Sequence, residues 1–167
     1  LVWRIKLCEI LAMACAPVGA AFTVITLATG SYWGKPQWGT WWDWDPALTS
    51  ELILLFLYFG VIGLYNAMDA RRAAARAAGL LAIVGVVLLP VIRYSVVWWN
   101  SLHQGQTIRV FGESSNDPSM VPPLLAMIVG TKLWFIGSLL ARARADNLRR
   151  EAGKDWVLRL AKPEAAR

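Results

Sequence analysis

Four stretches of mostly apolar residues, Leu7 to Thr29, Ala47 to Met68, Leu80 to Trp99 and Val121 to Leu140, constrain this chain more than anything else in it. Each is close to the roughly 20 residues that a helix needs to cross the hydrocarbon core of a bilayer. Lipid supplies no water to bare backbone groups, so an isolated span has to be helical. None of the four shows the sustained alternation of a strand. The expected fold is therefore all-α: a polytopic membrane helix bundle, one membrane domain with four transmembrane helices. The chain is 57% hydrophobic and 17% charged, which fits that class. Its net charge of +6 does not point to nucleic acid, because the basic residues sit in short clusters between apolar runs.

Those clusters set an orientation. Arg4 and Lys6 precede the first span, and Arg71, Arg72 and Arg76 lie in the connection 69–79. The tail 141–167 carries eight Lys and Arg residues, whereas the loops 30–46 and 100–120 hold one each, Lys35 and Arg109. By the positive-inside rule both termini and the connection 69–79 are cytoplasmic, and the other two loops are external. The basic tail reads first as an anchor on anionic lipid. Cys8 and Cys15 are seven residues apart on one predicted helix, about 10 Å by helical rise, too far for a disulfide. They are expected to be buried apolar fillers.

Both external loops are unusual. The first contains "WGTWWDWDP", Trp38 to Pro46, with four tryptophans and two aspartates in nine residues. Tryptophan favours membrane interfaces, but five indoles between Trp33 and Trp44 exceed what anchoring needs. On a helix Trp38, Trp41, Trp42 and Asp45 would share one face; on an extended chain Trp42 and Trp44 would. Either form makes a wide, flat aromatic platform suited to a large planar ligand. Asp45 before Pro46 also reads as the N-cap of the second span. Glu51, one turn further in, is either an interfacial carboxyl or one that faces the bundle.

The second external loop holds the chain's one histidine, His103, four residues after Trp99. A planar apolar ligand beside an imidazole suggests heme, whose iron is commonly held by histidine. Its carboxylates would want cations, for which Arg93 and Arg109 are the candidates, with Lys35 a further one. Read alone, a loop histidine such as His103 is more often a solvated side chain, and Arg93 is at least as often a snorkelling one. An electron-transfer enzyme with heme inside the bundle would need histidines within the spans, and there are none. A structural or permease subunit of an ABC transporter, without its own heme site, remains the alternative, though it leaves the tryptophans unexplained.

"WGTWWDWD", with "PALTSELILLFLYFGVIGL" after it and "YSVVWWNSLHQG" later, resembles the WWD family of heme-handling membrane proteins, in the branch of heme exporter protein C of cytochrome c maturation. The resemblance runs from Leu1 to about Gly105. It implies a bacterial inner-membrane protein, not an enzyme, that holds heme at the periplasmic surface and delivers it to a heme chaperone. It implies as partners, besides membrane lipid, a small single-span protein and the membrane and ATPase subunits of an ABC transporter. Trp38, Gly39, Trp41, Trp42, Trp44 and Asp45 match the signature positions for heme, and His103 matches the second of the family's two external axial histidines. The first has no counterpart in this sequence, and the family is expected to have six spans. An N-terminally truncated chain is therefore expected.

Overall fold

The computed structural model describes residues 6–99, 101–103 and 117–161. Helix α1 runs Lys6–Trp38, α2 Pro46–Ala67, α3 Arg71–Trp98, α4 Val121–Arg150 and α5 Asp155–Ala161, with a 3-10 turn at Pro118–Met120 before α4. The described residues contain no strand. Helices α1 to α4 are all long and apolar enough to cross a membrane, so the chain is an integral membrane protein with a polytopic helical architecture.

The helices overrun the expected spans. Residues 30–38, expected in a loop, are the last turns of α1, and α3 begins at Arg71, not Leu80. Turn and loop chemistry begins only at Gly39, and Arg72 and Arg76 sit in the first turns of a helix. The tail is helical through Arg150 and again from Asp155. Proline does not break the spans: Pro17 and Pro36 lie within α1 and Pro90 within α3.

The helices form a row in the order α4, α1, α2, α3, with α2 most extensively packed on α3. Small residues let the backbones approach. Ala16, Val61 and Ala78 meet at the junction of α1, α2 and α3, and Ile10, Ala14 and Ala143 join α1 to α4. Without a hydrophobic force between helices in lipid, such close contact is what holds spans together. Gly19 is the clearest case, since a Cβ there would lie 2.5 Å from the Tyr58 ring. The outer faces of α3 and α4 are apolar and exposed, Leu80, Val84 and Val87 on one and Leu125, Met127 and Leu133 on the other. A surface built that way matches hydrocarbon, not water. Cys15 is half-buried but Cys8 is exposed, so the expectation of two buried fillers fails for Cys8.

Polar groups tie the row together at both ends. At one end the Arg150 guanidinium bonds Glu9 at 2.9 Å and Asp146 at 2.8 Å, and donates to the Tyr65 hydroxyl. Tyr65 in turn donates to Glu9 at 3.1 Å. Side chains from α1, α2 and α4 thus close on one arginine that is only 8% exposed. The other end contains the tryptophans and His103.

Candidate functional site

The site begins where α1 stops. Gly39 takes φ +77°, a left-handed conformation that ends a helix readily and that a side chain disfavours. Its N–H donates to the Lys35 carbonyl at 3.0 Å, and the Lys35 ammonium reaches over to the Gly39 carbonyl at 2.9 Å. One carbonyl of the helix's last turn, and that of the residue just past its end, are thereby satisfied. Thr40 then shapes the turn, its hydroxyl donating to the Trp42 carbonyl at 2.9 Å. Pro46 opens α2, and Asp45 caps it by accepting from the Ala47 N–H at 2.9 Å.

Asp45 does more than cap. Its carboxylate also accepts from the Leu102 N–H at 3.1 Å and lies 2.9 Å from Nδ1 of His103. One side chain, 1% exposed, therefore joins the start of α2 to the segment after α3. Burial pushes the Asp45 pKa up, but hydrogen bonds from Ser101, Ala47 and Leu102 and the neighbouring His103 outweigh it. The net effect holds the carboxyl below its ordinary value. An ionised carboxylate accepts only, so Nδ1 of His103 carries the proton. In the neutral ring the other nitrogen, Nε2, then carries the lone pair, and it has no hydrogen-bond partner among the described residues. An imidazole arranged in this way is ready to ligate a metal. The His103 side chain is 29% exposed, open enough to be reached.

The tryptophans interlock edge to face. Trp38 meets His103 at a centroid distance of 4.8 Å and an interplanar angle of 66°. Trp33 meets Trp38 at 5.4 Å and 85°, and Trp42 meets Trp44 at 5.6 Å and 80°. Trp38 and Trp42 pack against the core of Ala20, Leu27, Leu48 and Leu55, while Trp41 and Trp44 are 55% and 74% exposed. Trp41 leans on Tyr32 at 6.0 Å, with the Lys35 ammonium 6.0 Å from its ring. The flat platform expected from spacing is therefore not what forms. The helical face fails because α1 ends at Trp38; Trp42 and Trp44 do meet, as the extended alternative has it, but their rings stand nearly perpendicular and make no flat surface. The rings form two layers instead, an inner pair fixed to the bundle and an outer pair available to a ligand.

Trp42 adds an unspent group. Its Nε1–H is buried and has no hydrogen-bond partner among the described residues, a costly state that a bound acceptor would relieve. A flat ligand with carboxylates suits an orphan indole donor, two exposed indole faces and an imidazole lone pair, so the chemistry of the donor set fits heme. Gly39 serves as the helix terminator, and nothing lies within 4 Å of its Cβ position. Arg93 sits on the exposed side of α3 and is already engaged in a contact of its own. Arg109 lies outside the described residues. Glu51 is half-buried one turn into α2. Sequence reasoning missed the parts played by Lys35, Thr40 and Ser101. A hydroxyl two residues from each backbone group it bonds, as in Thr40 to Trp42 and Ser101 to His103, was the available signal.

Residues 1–158 match the family model described as heme exporter protein C. Heme exporter protein C of Escherichia coli (strain K12) is 53% identical over 160 residues, covering 96% of this chain and 64% of the relative. That of Haemophilus influenzae is 48% identical over 161 residues, covering 96% and 65%. That of Bradyrhizobium diazoefficiens is 49% identical over 150 residues, covering 90% and 57%. The chain thus spans less than two thirds of the length of these relatives.

Proposed function

This chain belongs to the heme exporter protein C family, and on that premise we propose that it holds heme at the outer face of the bacterial inner membrane for cytochrome c maturation. His103 supplies Nε2 as one axial ligand to the iron. Asp45 fixes the tautomer and direction of that ring. Trp41 and Trp44 offer their faces to the porphyrin, and the Trp42 N–H is a donor for a heme carboxylate. The relatives' name describes heme export; delivery to a heme chaperone, alongside a small single-span protein and the two kinds of ABC transporter subunit, is the reading that fits a surface site.

The observation that carries the proposal is the 2.9 Å contact between Asp45 and Nδ1 of His103, with the Trp38 ring edge-on against that imidazole. It leaves the other ring nitrogen for metal, on an imidazole packed against Trp38. Supporting the outside location is the charge pattern: the tryptophan and histidine segments are poor in Lys and Arg, and the opposite ends are rich in them. A half-exposed site suits a carrier, which has to release what it binds. In this reading the protein makes and breaks no covalent bond, so it is not an enzyme. Its own residues bind and orient the heme and leave one axial side to a ligand from elsewhere.

The test is His103→Gly in protein purified from membranes, with heme followed by absorption spectrum and pyridine hemochrome. Heme content should fall and return when imidazole is added. Unchanged heme content in the variant would remove His103 from the site. Protein that never carries heme, with or without the substitution, would favour the structural or permease reading.

A further inference from the structure

The end of the bundle away from the tryptophans has a cavity of about 320 Å³ between α1, α2 and α4. Its floor is apolar, formed by side chains such as Met13, Pro17 and Ile62 from segments that cross the membrane. Its rim is polar and positive, with Asn66 from α2 and Arg142 and Arg149 from α4. The two arginines are seven residues apart, two helical turns, and so lie on one face. Asp146 also lines the cavity, but Arg150 already holds its carboxylate at 2.8 Å. Tyr65 is likewise engaged, by Arg150 and Glu9. Among the described residues neither Arg142 nor Arg149 makes an ion pair. The built network therefore consumes the local negative charge and leaves two guanidinium groups over an apolar floor.

We propose that this cavity binds a phosphodiester-bearing amphiphile, namely an anionic phospholipid, with its phosphate between Arg142 and Arg149 and the start of an acyl chain on the apolar floor. Guanidinium groups grip phosphate through paired N–H donors, and basic pockets between spans are where anionic headgroups bind. The volume is at the low end of that of small-molecule pockets, right for a headgroup and its first methylenes. A free phosphate would satisfy the arginines and leave the floor empty. This inference is independent of the heme site.

The experiment is native mass spectrometry of the purified protein with added phosphatidylglycerol and, separately, phosphatidylcholine, with inorganic phosphate as competitor. Phosphatidylglycerol should bind in preference, and millimolar phosphate should not displace it. Arg142→Gln with Arg149→Gln should weaken its binding about thirtyfold, with thermal stability and heme content unchanged. Ala145→Phe, at an exposed lining residue, should weaken both lipids by filling the cavity without altering charge. Equal retention of the two lipids, or of phosphatidylglycerol by the charge variant, would overturn the site. Displacement by inorganic phosphate would overturn the lipid assignment and leave a simple anion site.

Discussion

The two ends of this bundle each gather polar side chains from distant parts of the chain, but they finish them differently. Around Arg150, three guanidinium nitrogens, two carboxylates and a phenol are all matched to one another across α1, α2 and α4. Around His103, a carboxylate saturated by backbone and imidazole donors leaves Nε2 and a buried indole N–H without a hydrogen-bond partner among the described residues. A satisfied network fixes a structure; an unsatisfied one is unstable until something completes it. The first end locks three helices, and the second, in the proposed function, is completed by a ligand.

Substitutions can break that contrast. The largest effect is expected at Asp45. Asp45→Ala removes the cap and the imidazole's partner together, and heme affinity should fall by about 10- to 100-fold, with a further cost of about 1 kcal/mol in stability from the lost cap. Asp45→Asn keeps a capping oxygen and should restore stability more fully than heme affinity. Thermal melts and heme titration in detergent separate the two. At the other end Arg150→Met should cost about 1–3 kcal/mol by removing the guanidinium shared by Glu9, Asp146 and Tyr65, and heme binding should stay within error of wild type. A loss of heme at Arg150 equal to that at Asp45 would erase the distinction between the ends.

Acid should affect the two measurements together at Asp45. Its carboxyl titrates below the ordinary value, so its stabilisation is complete above about pH 4, the unfolded value, and is lost as pH falls through the lower folded one. Heme release as pH falls below about 4 should be steeper in wild type than in Asp45→Asn. The smallest effect is expected at Trp42→Phe. It deletes the orphan donor but also trims a ring packed on the core, so the two stability effects oppose each other and the net change should be small, while heme affinity drops a few-fold, about the worth of one hydrogen bond.

How far the chain could be read in advance follows the same division. Apolar length alone gives α1 to α4, because a bilayer permits little else. Helix ends were less legible: residues 30–38 contain Gly34, Lys35 and Pro36, which look like a loop, yet α1 continues to Trp38. Gly34 is there because the Trp38 ring lies across it, 3.0 Å from where a Cβ would be. The Asp45 cap was visible in Asp-Pro, but its bond to His103 joins residues 58 apart, and no local pattern encodes that. The tryptophans were visible as a cluster but not as two layers, since edge-to-face packing depends on where α1 turns. The Arg150 network was missed entirely, its partners Glu9, Tyr65 and Arg150 being spread over the whole length of the chain.

The central claim is that His103 binds heme iron while Asp45 holds its far nitrogen. A carboxylate partner makes an imidazole more basic and stabilises the oxidised iron. The direct measurement is the heme reduction potential in wild type and in Asp45→Asn, taken at saturating heme so that affinity does not enter. The account predicts a higher potential in the variant; equal potentials would mean that the Asp45–His103 pair does not face the iron.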